Sequence, residues 1–259
     1  MKRATTIATV LLWVAGAIAP AIGQPAPDAR LQLLAAYPDA LLAIEGNTLV
    51  WRDGTRMAID DGAGDKAFHA WLANPDIKDM LAKPYPAGAP LSVAAVNDDP
   101  GRARNAAFFD KLYGDCTKGE VSANLVDVVW LPRKFGKAVK MNARHGAAGH
   151  LRAVSARLDA LPASFDAFLI PPAGAYNCRT IAGTDRVSAH GHGIAIDIAV
   201  RHAHYWRWTA QRPGPVIYRN TIPPEIVAAF EAEGFIWGGR WHHYDTMHFE
   251  YRPELAPPH

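Results

Sequence analysis

The stretch Ser188-Ala189-His190-Gly191-His192-Gly193-Ile194-Ala195-Ile196-Asp197-Ile198 decides how this chain is read. From Ile194 to Val200 it has the composition of a buried strand, yet Asp197 stands at its centre. A lone carboxylate there is costly unless a cation or several donors meet it. His190 lies seven residues earlier, so in one unbroken strand the two side chains face opposite ways. Gly191 and Gly193 permit a bend that returns His190 to the side of Asp197. A ring nitrogen and a carboxylate oxygen converging on an apolar floor suit zinc.

A second segment, Trp237 to Glu250, supplies what the first lacks. His248 offers another nitrogen, and Asp245 stands three residues before it. Three protein ligands with one position left for water describe a catalytic zinc site. A carboxylate beside that position, but off the metal, is what proton removal requires. Eight of the eleven histidines fall between His190 and His259, and His202, His204 and His259 read as solvated loop residues. On the residues alone, a metal hydrolase and a set of ordinary core histidines both remain open.

Outward from these segments the chain reads as α+β with a small, largely antiparallel sheet. Leu41–Ile44, Thr48–Trp51 and Arg56–Ile59, separated by Gly46-Asn47 and Asp53-Gly54, predict a meander. Helical pattern follows from Lys66 to Ala82, interrupted at Pro75 and stopped by Pro84. A helix through Phe108, Phe109 and Leu112 ends at Gly114, and Val126–Leu131 is strand-like. Leu151, Val154, Leu158 and Leu161 recur at helical spacing before Pro162. A strand near Phe168–Ile170, a helix over Glu225–Glu233 and a last strand near His248–Tyr251 complete the reading. The expected organisation is a leader over 1–23, a lead-in region without a recognisable motif over 24–95, and the site-bearing domain over 96–259.

The leader reading rests on Lys2 and Arg3, the apolar run Ile7–Ile18 and the small-residue exit Ala21-Ile22-Gly23. Lys and Arg together number 27 against 25 acids, and cleavage after Gly23 removes two cations, leaving the charge balanced. A chain with no basic block is a poor nucleic-acid binder. No later run is apolar for the ~20 residues that a spanning helix needs. An exported protein, periplasmic or extracellular, without stable membrane insertion is expected. That compartment permits a disulfide between Cys116 and Cys178, although two free thiols also fit. Two cysteines alone cannot build a zinc knuckle.

The pattern S-x-H-x-x-G-x-A-x-D at Ser188–Asp197, followed by D-x-x-H-F-E at Asp245–Glu250, resembles the M15 zinc peptidases. That family comprises D-alanyl-D-alanine carboxypeptidases and L-alanyl-D-glutamate endopeptidases acting on peptidoglycan. The similarity extends over roughly Asp99–Leu255, including Asn97–Arg102, Ile181–Thr184, Tyr205-Trp206 and the run from Gly234. The resemblance implies a small α+β domain holding one Zn2+ through His190, Asp197 and His248. It gives Asp245 the general-base position, Arg179 contact with substrate and the developing oxyanion, and Ser188 support of the ligand loop or of substrate. Glu250 would orient a ligand, and His192 would stand behind the ligands or face solvent. His242 and His243 would lie at the cleft rim, and Trp206, Trp237 and Trp241 could line a peptide cleft. Arg179 pairing with Asp185 as a surface ion pair, and Cys178 pinning the arginine's loop, are further readings. The expected activity is hydrolysis of a peptide bond in cell-wall stem peptides, by carboxypeptidase or endopeptidase action. A non-catalytic zinc-containing peptidoglycan-binding module and an exported peptidase acting on ordinary peptides are the alternatives; oligomeric state is not legible.

Overall fold

The computed structural model describes residues 28–209 and 216–258. The leader reading over 1–23 and His259 lie outside these. The lead-in begins with α1 (Ala29–Ala36), capped by the Asp28 side chain on Arg30 N–H. The meander is built from β1 (Leu41–Glu45), β2 (Thr48–Trp51) and β3 (Arg56–Ala58), paired antiparallel in that order. Pro75 splits the expected helical stretch into α2 (Phe68–Ala73) and α3 (Ile77–Leu81), because proline has no N–H for the helix ladder. Asp76 and Asp79 close a reciprocal capping box on α3.

Next come α4 (Ala106–Tyr113), the antiparallel pair β4 (Leu125–Trp130) and β5 (Lys137–Asn142), and α5 (Ala147–Asp159). Leu151, Val154 and Leu158 line the buried face of α5, as their spacing predicts. After α6 (Asp166–Leu169) the chain forms β6 (Ala195–Asp197), α7 (Trp206–Thr209), α8 (Pro224–Glu231), β7 (Phe235–Trp237) and β8 (His248–Tyr251). The last strands form an antiparallel sheet in the order β6-β8-β7.

Three expectations are corrected. The described residues hold three small antiparallel sheets rather than one. Phe168-Leu169-Ile170 is not a strand: Ile170 N–H donates to Asp166 O at 2.9 Å, closing α6. A short apolar run fits either state, and here Leu169 is buried while its carbonyl accepts from Trp130 Nε1 at 3.0 Å. The strand read from Ile194 to Val200 shortens to β6, since Val200 opens a 3-10 turn and is exposed. Strand β5 escaped the reading because Lys137 and Lys140 break its apolar alternation; the strand is half solvated.

The lead-in shares a single core with the site-bearing domain. Leu33, Leu41, Leu49, Trp51, Ile77 and Met80 belong to one continuous apolar cluster with Phe108, Phe109 and Leu151. Buried polar bonds stitch the same seam. Tyr37 OH donates to Glu254 at 2.7 Å, and Tyr85 OH donates to Glu231 at 2.6 Å while accepting from Trp237 N–H at 2.9 Å. Arg252, fully buried, pairs with Glu254, donates to Gly101 O at 2.6 Å and lies 4.8 Å from the Phe109 ring centroid. Removing one partner of such a pair strands a buried charge. Glu254→Ala is therefore expected to destabilise the fold by about 3 kcal/mol, read in a urea melt; an unchanged midpoint would refute the seam's role.

Candidate metal centre

Strand register builds half of the site. Asp197 on β6 is the direct cross-strand partner of His248 on β8. Opposed residues of an antiparallel pair project from the same face, and Glu250, two residues on, shares that face. Phe249 points the other way, its ring 3.8 Å from that of Phe230 on α8. The sheet thus presents acids and an imidazole on one side and is anchored by aromatic packing on the other.

The loop before β6 delivers the third group. Gly191 N–H donates to Ser188 O at 2.7 Å and Gly193 N–H to His190 O at 3.1 Å, forming two consecutive turns. Gly193 sits at φ +68°, a region that glycine enters without a Cβ penalty. A Cβ on Gly191 would lie 2.6 Å from Val187 Cγ1 and 3.1 Å from Cys116 Sγ, so the loop packs directly on the Cys116–Cys178 disulfide. Asn142, wholly buried, braces the loop by donating to His192 O and Tyr113 O, each at 3.0 Å. Nothing in the local sequence around Asn142 signals this role.

The result is a tight triangle. Asp197 Oδ1 lies 2.8 Å from His248 Nδ1 and 3.2 Å from His190 Nε2, and the two nitrogens are 3.2 Å apart. Ligands at ~2.0–2.1 Å from a tetrahedral ion stand little farther apart than this. Each imidazole is oriented through its other nitrogen: His190 Nδ1 meets Ala175 O at 2.5 Å, and His248 Nε2 meets Glu250 Oε1 at 2.9 Å. These contacts fix the orientation of each ring and turn the inner nitrogens toward Asp197. Glu250 is itself held by Arg104, 2.7 Å away, a residue that the sequence reading passed over.

Electrostatics favour a positive charge at the centre of the triangle. Burial raises the Asp197 pKa, but hydrogen bonds from His190 and His248 outweigh it and hold the carboxyl far below its ordinary range. Burial opposes the His248 imidazolium, yet Asp197 and Glu250 raise its pKa well above that of an ordinary histidine. A borderline-soft dication accepting two imidazoles and one carboxylate fits this donor set.

Asp245 lies in the same cleft, of about 310 Å³, with Arg102, Arg179, Ser188 and Trp241. Its Oδ1 is shielded from solvent and has no hydrogen-bond partner. Burial, with Asp197 adding to it against the opposing effect of His248, pushes the Asp245 carboxyl up to about 6. Arg179 is exposed, donates to Thr180 O at 3.5 Å and makes no ion pair with Asp185. Ser188 is buried, its Oγ accepting from His190 N–H at 3.4 Å.

Other sequence candidates take different places. His192 is buried but turns away from the triangle to Asp110, 2.9 Å distant. His243 is held by Asp99 at 2.8 Å on the cleft rim, and His242 follows the same chain path without joining the triangle. Trp241 lines the cleft, whereas Trp237 does not: it is fully buried and donates to Thr246 O at 2.9 Å, because β7 points it into the core. A second acidic group, Asp60, Asp61 and Asp76, already meets two lysines: Lys66 lies 2.6 Å from Asp61 and 3.8 Å from Asp76, and Lys78 lies 2.7 Å from Asp60. Those lysines already supply the positive charge.

Residues 182–251 match the family model described as D-alanyl-D-alanine carboxypeptidase, an M15 peptidase model. No curated protein and no solved structure matches the chain. The matched stretch contains Ser188, His190, Asp197, Asp245, His248 and Glu250, and it supports an M15 peptidase; Arg179 precedes it. M15 peptidases are generally zinc-dependent, and the triangle is where this chain can hold such an ion. Removing an orienting partner of a metal ligand typically costs ~10–100-fold in affinity. Glu250→Gln should weaken zinc binding by about that factor in a chelator competition, and His248→Ala should abolish stoichiometric binding.

Proposed function

We propose that the chain is a zinc-dependent peptidase that hydrolyses a peptide bond in peptidoglycan stem peptides. The carrying observation is the unpartnered Asp245 oxygen beside the His190–Asp197–His248 triangle. A module that only binds has no use for a carboxylate whose solvent-shielded Oδ1 lacks a hydrogen-bond partner. Such a group is costly to the fold, and proton transfer explains its presence.

Zinc, when bound by His190 Nε2, His248 Nδ1 and Asp197, supplies Lewis acidity and brings the pKa of water to about 7. Asp245 accepts the proton of the water that attacks the scissile carbonyl, then delivers it to the departing amine. With its pKa pushed to about 6, this carboxylate is ionised at neutral pH and basic enough to be a useful acceptor. Arg179, at the mouth of the cleft, donates to the oxygen that becomes negative at the tetrahedral stage. The disulfide beside its loop restrains the segment that carries it. That disulfide also supports the reading of an exported protein, since such bonds persist in oxidising compartments.

Purified protein incubated with muropeptides should release product that disappears on chelation, as followed by mass spectrometry. The masses distinguish removal of a terminal residue from internal cleavage, and bound but uncut peptide would favour the binding-module reading. Asp245→Ala should retain zinc while kcat falls by roughly 10²–10⁴; near-normal turnover would refute its assignment. Activity should also decline on acidification, as Asp245 takes up a proton. A dication nearby favours the ionised form, so the acid limb of kcat/KM is expected at or below about pH 6.

A further inference from the structure

A second groove, of about 370 Å³, adjoins the metal cleft, and Arg102, Ile181 and His243 line both. One wall comes from α2 of the lead-in, with Phe68 and Leu72; the other comes from the loop 181–186. That loop is shaped by two backbone bonds, Ile181 N–H to Arg186 O at 2.9 Å and Thr184 N–H to Ile181 O at 3.0 Å, which turn Arg186 into the groove. The Phe68 ring stacks on His243 with centroids 5.1 Å apart, and Trp206 meets the other side of His243 at 4.7 Å.

The charge of this groove is unbalanced. Arg102 is paired with Asp99 and Arg104 with Glu250, each at 2.7 Å. Arg186, partly buried between them, makes no ion pair among the described residues. The one acid on the groove lining, Asp185, pairs with none of the lining arginines. Burial and the neighbouring Arg104 and Arg102 push the Arg186 guanidinium down to about 10, outweighing the opposing effects of Asp185 and Glu250. A cation crowded by cations is relieved by an incoming anion, and a guanidinium's planar fork suits a carboxylate.

We propose that this groove is a substrate subsite, built jointly by the lead-in and the metal-bearing part, in which Arg186 holds a carboxylate of the peptide and Phe68 and His243 seat its apolar stem. The assignment gives the lead-in a place in substrate recognition, and it rests on the peptidase reading for the identity of the peptide. A stem peptide carries two kinds of free carboxylate close to its peptide bonds: that of the γ-linked glutamate and that of the C-terminus.

The test uses the full chain carrying Asp245→Asn, loaded with zinc, so that binding is read without turnover. Calorimetry measures L-alanyl-γ-D-glutamyl-L-lysyl-D-alanyl-D-alanine and two versions, one amidated at the glutamate α-carboxylate and one at the C-terminus. Amidating the recognised carboxylate should weaken binding by about 10–100-fold, and which amide does so identifies the source. Adding Arg186→Gln should bring the ratio of free to amidated affinity to about one, Arg186→Lys should keep part of it, and Phe68→Ala should weaken all three peptides several-fold. Equal affinity for the three peptides, no binding of any of them, or discrimination that survives Arg186→Gln would overturn the subsite. A melting temperature of Arg186→Gln at or above its parent separates lost recognition from lost fold, because no ion pair is removed. Cleavage of the same peptides by the unsubstituted protein is scored separately. Discrimination without cleavage would retain the subsite and remove the peptidase reading.

Discussion

The site depends on one carboxylate that the fold cannot leave alone. Asp197 faces His190 and His248 at 3.2 and 2.8 Å, on a strand whose other side chains are apolar and fully buried. A charge there is tolerable only while positive charge stays beside it. The surrounding structure is arranged to that end. Glu250 and Ala175 O fix the outer nitrogens of the two imidazoles, and Arg104 in turn neutralises Glu250. A layered arrangement of this kind fixes ring orientation in advance, so an ion binding there would cost little conformational freedom.

Rigid supports stand behind each member of the triangle. Phe249 and Tyr251 alternate with His248 and Glu250, so the packing of β8 against α8 also sets the height of its polar face. The His190 loop has no strand ladder, and it is held by Asn142, by two turns and by the disulfide against which Gly191 packs. Asp245 is treated differently. Its backbone is fixed by N–H donation to Gly238 O at 3.0 Å, while its Oδ1 is left unpartnered. Asp245 thus differs from the triangle, whose two inner nitrogens and facing oxygen all meet one another.

The lead-in adds to this in two ways. Its apolar residues extend the core, and its buried bonds through Tyr37 and Tyr85 reach Glu254 and Glu231 near the site-bearing sheet. Helix α2 then comes to rest against His243 at the edge of the metal cleft. A region with no motif of its own thereby stands at the edge of the cleft.

Much was legible in the sequence because it is local. The meander announces itself through Gly46-Asn47 and Asp53-Gly54, helix α5 through its apolar spacing, and the split between α2 and α3 through Pro75. Asp197 in an apolar run and the spacing of Asp245 and His248 leave a metal hydrolase open beside ordinary core histidines, and the paired motifs resemble one family. Other features were settled only by the tertiary structure. Whether Phe168–Ile170 is helix or strand depends on where its backbone bonds go: Ile170 N–H closes α6 on Asp166 O, and the residues that bridge to β6 lie further on, at Ala173 and Gly174. Arg104, Asn142 and Arg186 gain their roles from partners or neighbours that are distant along the chain, so no local pattern could single them out. Trp237 and Trp241 look alike in the sequence, yet strand direction sends one into the core and leaves the other in the cleft. Residue types and short-range periodicity determine which chemistry is possible; long-range packing decides which side chains meet, because contacts across tens of residues leave no periodic trace.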